Sequence, residues 1–291
     1  MSLLMIDMLT FGILVWITIV LLIIVAGSEL FTMMIEEQIR YLRLIIHYAP
    51  LPATVSIPSR PEPVARYVSW ALGENRNPVR CVHIRFTGRC RYGKSGRWMD
   101  MGGEAFFSVA IPGFVWRATT TYAPGIWLKT FDYYVDSKAG MNLNLFSLFP
   151  LDNAHDDAIK TPSLFRYLAC TPLFPMIHGQ AGFISWENID DSTSKAIISD
   201  KGRSVEALAR FNGRGWIESI DMHDKTNPET GKPLNGHFAT RFSSYTQVEG
   251  YWIPMQVDSD MILPDGEYVT AEYSITEIEF DTAMITKRSV T

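Results

Sequence analysis

The chain has 291 residues and a formal net charge of −5, with 31 acidic side chains against 26 Lys and Arg. That balance lacks the net basic footprint of a nucleic-acid binder, so no nucleic-acid partner is expected. Three cysteines, Cys81, Cys90 and Cys170, give no disulfide framework, and the length allows one large or two small domains with a real core.

From the N-terminus, the run Met8 to Ser28, MLTFGILVWITIVLLIIVAGS, carries no charge. About 21 residues at ~1.5 Å each make ~31 Å of helix, enough to cross a bilayer core of ~30 Å. A cleaved signal peptide would need a basic start and a shorter apolar core. Here Asp7 is the one charge before the run, so residues 1–28 are read as a retained transmembrane anchor. Met8, Phe11, Ile13, Leu14, Trp16, Ile17, Val20, Leu21 and Ile24 are its expected membrane-spanning positions. No Lys or Arg precedes the run, whereas Arg40 and Arg43 follow it, then Arg60 and Arg66. The positive-inside rule therefore leans toward a cytoplasmic domain, with the periplasmic or extracytoplasmic side as the alternative.

Residues 29–48 read as an amphipathic helix. Glu29, Glu36, Arg40, Arg43 and His47 form a polar stripe, and Phe31, Met34, Ile35, Leu42, Ile45 and Ile46 cover the rest. Such a helix can lie in the headgroup layer, pack on a partner, or pack on the chain's own domain. Residues 49–63 carry Pro50, Pro52, Pro58, Pro61 and Pro63, an extended spacer expected to hold the domain off the bilayer. Pro63 then starts a short helix, Val64 to Leu72.

From Val79 the period changes to two. Val82, Ile84, Phe86 and Tyr92 alternate with His83, Arg85, Thr87, Arg89 and Arg91, the pattern of a half-buried strand with a basic outer face. Cys81 and Cys90 share this strand about 30 Å apart and cannot bridge each other. Gly93 to Gly96 turns the chain back, and strands are expected at Met99–Val109, Phe114–Tyr122, Ile126–Asp136 and Gly140–Phe149. Thr161 and Pro162 start a second helix through Cys170, which Pro172 and Pro175 end. Seven further strands follow: 183–189, 195–199, 204–211, 216–222, 237–246, 251–260 and 268–280. The whole is an α+β fold, with residues 64–291 forming one large curved antiparallel sheet and two short helices.

The segments RPEPVARYVSWAL, GRCRYGKSGRWMDMGGEAFFSVAIPGFVWRA, SLFRYLA and FSSYTQVEGYWIP carry a resemblance. Over about Pro61 to Phe280 the chain resembles the DUF6544/DUF6920 family of uncharacterised prokaryotic proteins. That family is in turn similar to the LolA/LolB-like lipoprotein-carrier half-barrels, in which a curved sheet wraps a helix around an apolar cavity. The resemblance implies no catalytic role, and where it would place an acidic residue after RYLA this chain has Cys170.

Chemical motifs are sparse. Lys94-Ser95 invites a phosphate-loop reading, but the first glycine is misplaced and a strand follows, so the segment is a hairpin turn. Asp152, His155, Asp156 and Asp157 lack the order of a calcium loop, and zinc would need more His or Cys; a solvated acidic loop is the expectation. Cys170 with His178 is the one nucleophile–base pairing to consider, against a plain buried cysteine. No catalytic residue, metal or cofactor is therefore assigned.

Phe86, Met99, Met101, Phe107, Phe114, Trp116, Trp127, Phe131 and Met141 are candidates for the wall of an apolar cavity. Arg40, Arg43, Arg85, Arg89 and Arg91 are candidates for headgroup or partner contacts. The expected function is a non-enzymatic, single-pass accessory subunit bracing a larger membrane assembly, such as a respiratory or photosynthetic complex. It would pack on other integral membrane subunits as well as lipid. The alternative is a tethered binding or carrier module for a lipid or other hydrophobic ligand. The first predicts a filled sheet interior, the second a continuous apolar cavity.

Overall fold

The computed structural model describes residues 3–50, 60–74, 78–155, 157–180, 182–222 and 237–281. Most of the proline-rich connector and Asp156 lie outside that set. A single unbroken helix, α1 (Leu3–Tyr48), merges the expected anchor and amphipathic helix. Its two halves have different surroundings. Between residues 8 and 26 every described side chain is exposed or partly so, with Phe11 at 70% and Trp16 at 71%. By length and composition, α1 is the one described helix able to cross a membrane.

Beyond Gly27 the helix docks. Phe31, Ile35, Ile39, Leu42 and Ile46 recur every three or four residues, so they form one stripe, and all are buried. They pack with Cys81, Phe106, Val115, Phe131 and Val135 on the outer face of the sheet. Each such side chain contributes about 1.5–3 kcal/mol of burial. The amphipathic helix therefore packs on the chain's own domain. This stripe holds the domain against α1; the proline-rich spacer expected over residues 49–63 falls mostly outside the described residues.

Thirteen strands follow: β1 (Cys81–Cys90), β2 (Met99–Ser108), β3 (Phe114–Ala123), β4 (Ile126–Val135), β5 (Lys138–Leu145), β6 (Phe149–His155), β7 (Ile184–Asp190), β8 (Thr193–Asp200), β9 (Arg203–Phe211), β10 (Ile217–Asp221), β11 (His237–Val248), β12 (Tyr251–Leu263) and β13 (Gly266–Asp281). They form one antiparallel sheet in the order β6-β5-β4-β3-β2-β1-β13-β12-β11-β10-β9-β8-β7. Sequential neighbours pair as meanders; among the described residues β1 with β13 is the one long-range junction. Since β1 to β6 are consecutive antiparallel neighbours, the β1–β2, β3–β4 and β5–β6 turns lie at one end, hereafter the near end. The β2–β3 and β4–β5 turns lie at the far end.

Two helices sit on the sheet's inner face. The first, α2 (Glu62–Leu72), buries Val64, Tyr67, Val68 and Ala71. The second, α3 (Asp157–Ala169), starts four residues before the expected cap, so that Pro162 lies inside it. A 3-10 turn (Thr171–Leu173) and α4 (Ile177–Gln180) complete the segment, two elements more than expected. Helix α3 packs against β4, β5 and β6 and also against β9. In the sheet order β5 is second and β9 eleventh; flat strands ~4.8 Å apart would put them about 43 Å from each other. A helix ~10 Å wide reaches both because the sheet curls around it into a half-barrel.

The helix runs along the strands. Arg80, just before β1, caps its C-terminus by donating to the carbonyls of Ile46 and Ala49, both at 2.5 Å. Tyr41 donates to Asp136 in the β4–β5 turn at 3.0 Å. Lys129 donates to Ser28 at 3.2 Å, and a Cβ on Gly27 would meet Leu148 of the β5–β6 turn at 2.6 Å. Docking thus spans from the far end to the near end, and the exposed half of α1 projects beyond the near end.

Candidate functional site

Between α3 and the inner face lies a cavity of about 190 Å³. Alternation along each strand sets its wall: Met101 and Trp116 from β2 and β3, Met141 and Leu143 from β5, and Tyr273 from β13. Phe165, Arg166, Ala169 and Cys170 approach from α3 and its end, as i, i+1, i+4 and i+5 positions of one helical face must. Apolar side chains make most of the wall, with Thr120, Thr130, Thr240, Ser259 and Thr270 and four charged residues among them.

One polar pair is set into it. Asp132 on β4 is 3% exposed and pairs through Oδ2 with the Arg166 guanidinium, which also lies 5.5 Å from the centre of the Trp116 ring. The second oxygen, Asp132 Oδ1, is buried without a hydrogen-bond partner among the described residues. A buried carboxylate oxygen left this way is destabilising unless something donates to it. The cavity therefore combines apolar side chains with this buried ion pair, and Arg91 and Asp152 add a second cation and a second carboxylate to its lining.

Exposure rises in one direction. Asp132 and Met141 are buried, whereas Thr130 and Leu143, two residues closer to the near end on the same strands, are partly exposed. Tyr92, in the β1–β2 turn at that end, lines the cavity and is 44% exposed. The mouth is at the near end.

Of the candidate wall residues, Met101, Trp116 and Met141 line the cavity, and Phe86 stacks behind Trp116 at 4.3 Å. Phe107 and Phe114 are fully buried in the main core, where Phe107 stacks on Phe174 at 4.8 Å, and Met99 is buried at the start of β2. Phe131 faces the other way, edge-on to Phe31 of α1 at 6.1 Å. Strand alternation explains it: its neighbours Thr130 and Asp132 line the cavity, so Phe131 must point outward. Trp127 packs edge-on to Phe146 at 5.0 Å. Sequence reasoning missed Asp132, Arg166, Phe165 and Tyr273; the Asp132–Arg166 pair links β4 to α3 and leaves no local motif.

The outer face carries a charge network. Glu104 accepts from His83 Nε2 at 2.6 Å and from Arg117 Nε at 2.5 Å, and Arg117 reaches Glu36 of α1 at 2.7 Å. The hydrogen bond from His83, then those from Arg117, hold the Glu104 carboxyl down at about 2. Arg85 pairs with Glu277, Arg89 with Glu272 at 2.8 Å, and Arg43 lies over Phe106 at 5.3 Å. Arg91, by contrast, lines the cavity and donates to the Val269 carbonyl at 2.6 Å, while Arg40 is exposed on α1.

Burial pushes the Cys170 thiol up to about 12, so it is not a thiolate at neutral pH. Neither His178 ring nitrogen has a hydrogen-bond partner among the described residues, Cys170 included, so His178 does not activate Cys170. Its ring packs between Tyr67 and Trp186, and burial pushes it down to about 3. Asp152 lines the cavity, Asp157 pairs with Lys160 at 2.8 Å, and no group of three potential metal ligands occurs among the described residues.

These features define an open antiparallel half-barrel with an internal helix, a small lined cavity, and a long apolar helix fixed to its outer face. The chain belongs to the DUF6920 family of unknown function, whose model matches residues 59–280. No curated protein matches it. Among solved structures it is similar to a LolA superfamily protein from Nitrosomonas europaea, with 10% identity, a TM-score of 0.40, and coverage of 75% of this chain and 92% of that one. It is also similar to a putative outer membrane lipoprotein-sorting protein domain from Vibrio parahaemolyticus, with 11% identity, a TM-score of 0.41, and coverage of 77% and 92%. A DUF1329 family protein from Desulfovibrio piger gives 11% identity, a TM-score of 0.42, and coverage of 78% and 96%.

Proposed function

We propose that the chain is a non-enzymatic, membrane-anchored binding module that holds the apolar tail of a lipid or lipid-like molecule. The lined cavity carries this reading: a sheet interior packed only for stability would close over such a space, since unfilled volume is destabilising. At about 190 Å³ it is smaller than the ~300–1,000 Å³ that encloses a drug-sized ligand, which suits a single tail with its head outside. The exposed half of α1 is the anchor, with the domain on the side the positive-inside rule favours, the cytoplasm. Residues 1–28 span, and residues 31–46 belong to the domain they pack on. The accessory-subunit reading called for a filled interior, and no observation favours partner subunits over lipid.

The test is a filled cavity. Ala118 lines it at 5% exposure, and Ala118→Trp would occupy it. Full-length protein extracted in mild detergent should carry lipid in native mass spectrometry, and the variant should lose it while keeping its circular dichroism. Equal lipid in both would overturn the proposal.

A further inference from the structure

The near end of the half-barrel is not an ordinary polar rim. Tyr122 (48% exposed) and Ile126 (36%) flank the β3–β4 turn, and Phe149 (53%) and Leu151 (56%) begin edge strand β6. Isolated exposed apolar residues are unremarkable, but these belong to adjoining turns. Trp127 meets Phe146 at 5.0 Å across the β3–β4 and β5–β6 turns, and Arg97 of the β1–β2 turn lies 4.2 Å from the Tyr122 ring centre. The β1–β2 turn adds Tyr92, Trp98 and Lys94, the last paired at 3.0 Å with Asp265 of the β12–β13 turn. Aromatic rings mixed with cations are the composition of a membrane–water interface.

Position strengthens this. Helix α1 leaves the domain at Gly27 and Ser28, against Leu148 and Ser147 of the same group of turns. Residues 8–26, whose described side chains are exposed or partly so, extend ~28 Å beyond that point. If they cross a bilayer, its surface lies at the height of these turns, because rigid docking from Ser28 to Ile46 leaves no slack between helix and sheet. Arg40, ~18 Å further along the helix than Ser28, is then out of reach of headgroups.

We infer that the β1–β2, β3–β4 and β5–β6 turns are seated in the headgroup layer of the membrane that α1 enters, so that the cavity mouth opens directly onto lipid. The inference rests on the proposed anchor and adds the orientation of the site: a tail enters from the bilayer without crossing water. The occupant of this surface is a lipid bilayer, argued from its continuity with the apolar helix.

Depth-dependent quenching tests it. An environment-sensitive fluorophore is attached to Trp16→Cys, Tyr122→Cys, Phe149→Cys or Lys138→Cys in the full chain, reconstituted into phosphatidylcholine–phosphatidylglycerol vesicles containing doxyl-labelled lipid. The three native cysteines are buried and leave little background. Lys138 marks the far end. Quenching of about twofold or more is expected at positions 16, 122 and 149, with none at 138. If 122 and 149 behave like 138 while 16 is quenched, the seating of the turns is wrong and the anchor stands. If 16 is itself unquenched, both fall.

Discussion

Tyr134 donates its hydroxyl to Asp200 at 2.7 Å, and this bond joins strands from nearly opposite edges of the sheet. Tyr134 belongs to β4, third in the sheet order, and Asp200 ends β8, twelfth. Beside it, Lys201 pairs with Asp136, and Arg203 donates to Thr161 of α3 at 2.9 Å. The curl of the sheet around α3 is thus fastened at the far end, opposite the cavity mouth.

Removing that fastener should loosen the curl without unfolding the chain. Tyr134→Phe keeps the ring and loses the bond, at about 0.5–1.5 kcal/mol. Hydrogen exchange should accelerate at the β4–β5 and β8–β9 turns and remain unchanged at β1–β2.

Helix α1 should detach locally. Its buried stripe forms a cluster separate from the main core, and Leu42 is fully buried there. Leu42→Ala should be destabilising by about 2–5 kcal/mol. Exchange should rise across residues 31–46 while α3 stays protected.

Acid should weaken the fold first through His178. Its folded value of about 3 lies below the ordinary 6.5, so the unfolded chain takes up the proton first. The stability from keeping it neutral is complete above 6.5 and is lost as pH falls toward 3, by about 3–5 kcal/mol. His178→Leu should flatten urea midpoints measured in detergent between pH 6.5 and 4.5.

Glu104 acts lower on the scale. Held at about 2 instead of 4.5, it stabilises fully above 4.5, and its contribution disappears as pH falls through 2. Glu104→Gln should be destabilising by about 1–3 kcal/mol at pH 7 and approach the parent chain near pH 2. Because Arg117 bridges Glu104 to Glu36, the same variant should also raise exchange around residue 36 of α1.

Much of the sheet was legible because burial alternates strongly there, as with Val82, Ile84 and Phe86 on β1. Strand β6 was not: Phe149 to His155 is an edge strand with little burial, so no alternation marks it. The start of α3 was hidden by Pro162, which reads as a first-turn residue and lies inside the helix instead. The stripe from Phe31 to Ile46 was visible, but a stripe does not name the surface it meets. The cavity's polar pair was the least legible, since Asp132 and Arg166 become neighbours only after the sheet curls.

A ferry must leave the quay. In this chain the quay and the vessel are one piece: α1 passes without a break from its bare apolar stretch to the stripe held by Phe106 and Phe131, and Arg80 clamps its end. On the proposed reading it stays moored, and whatever it holds must be collected by something that comes alongside.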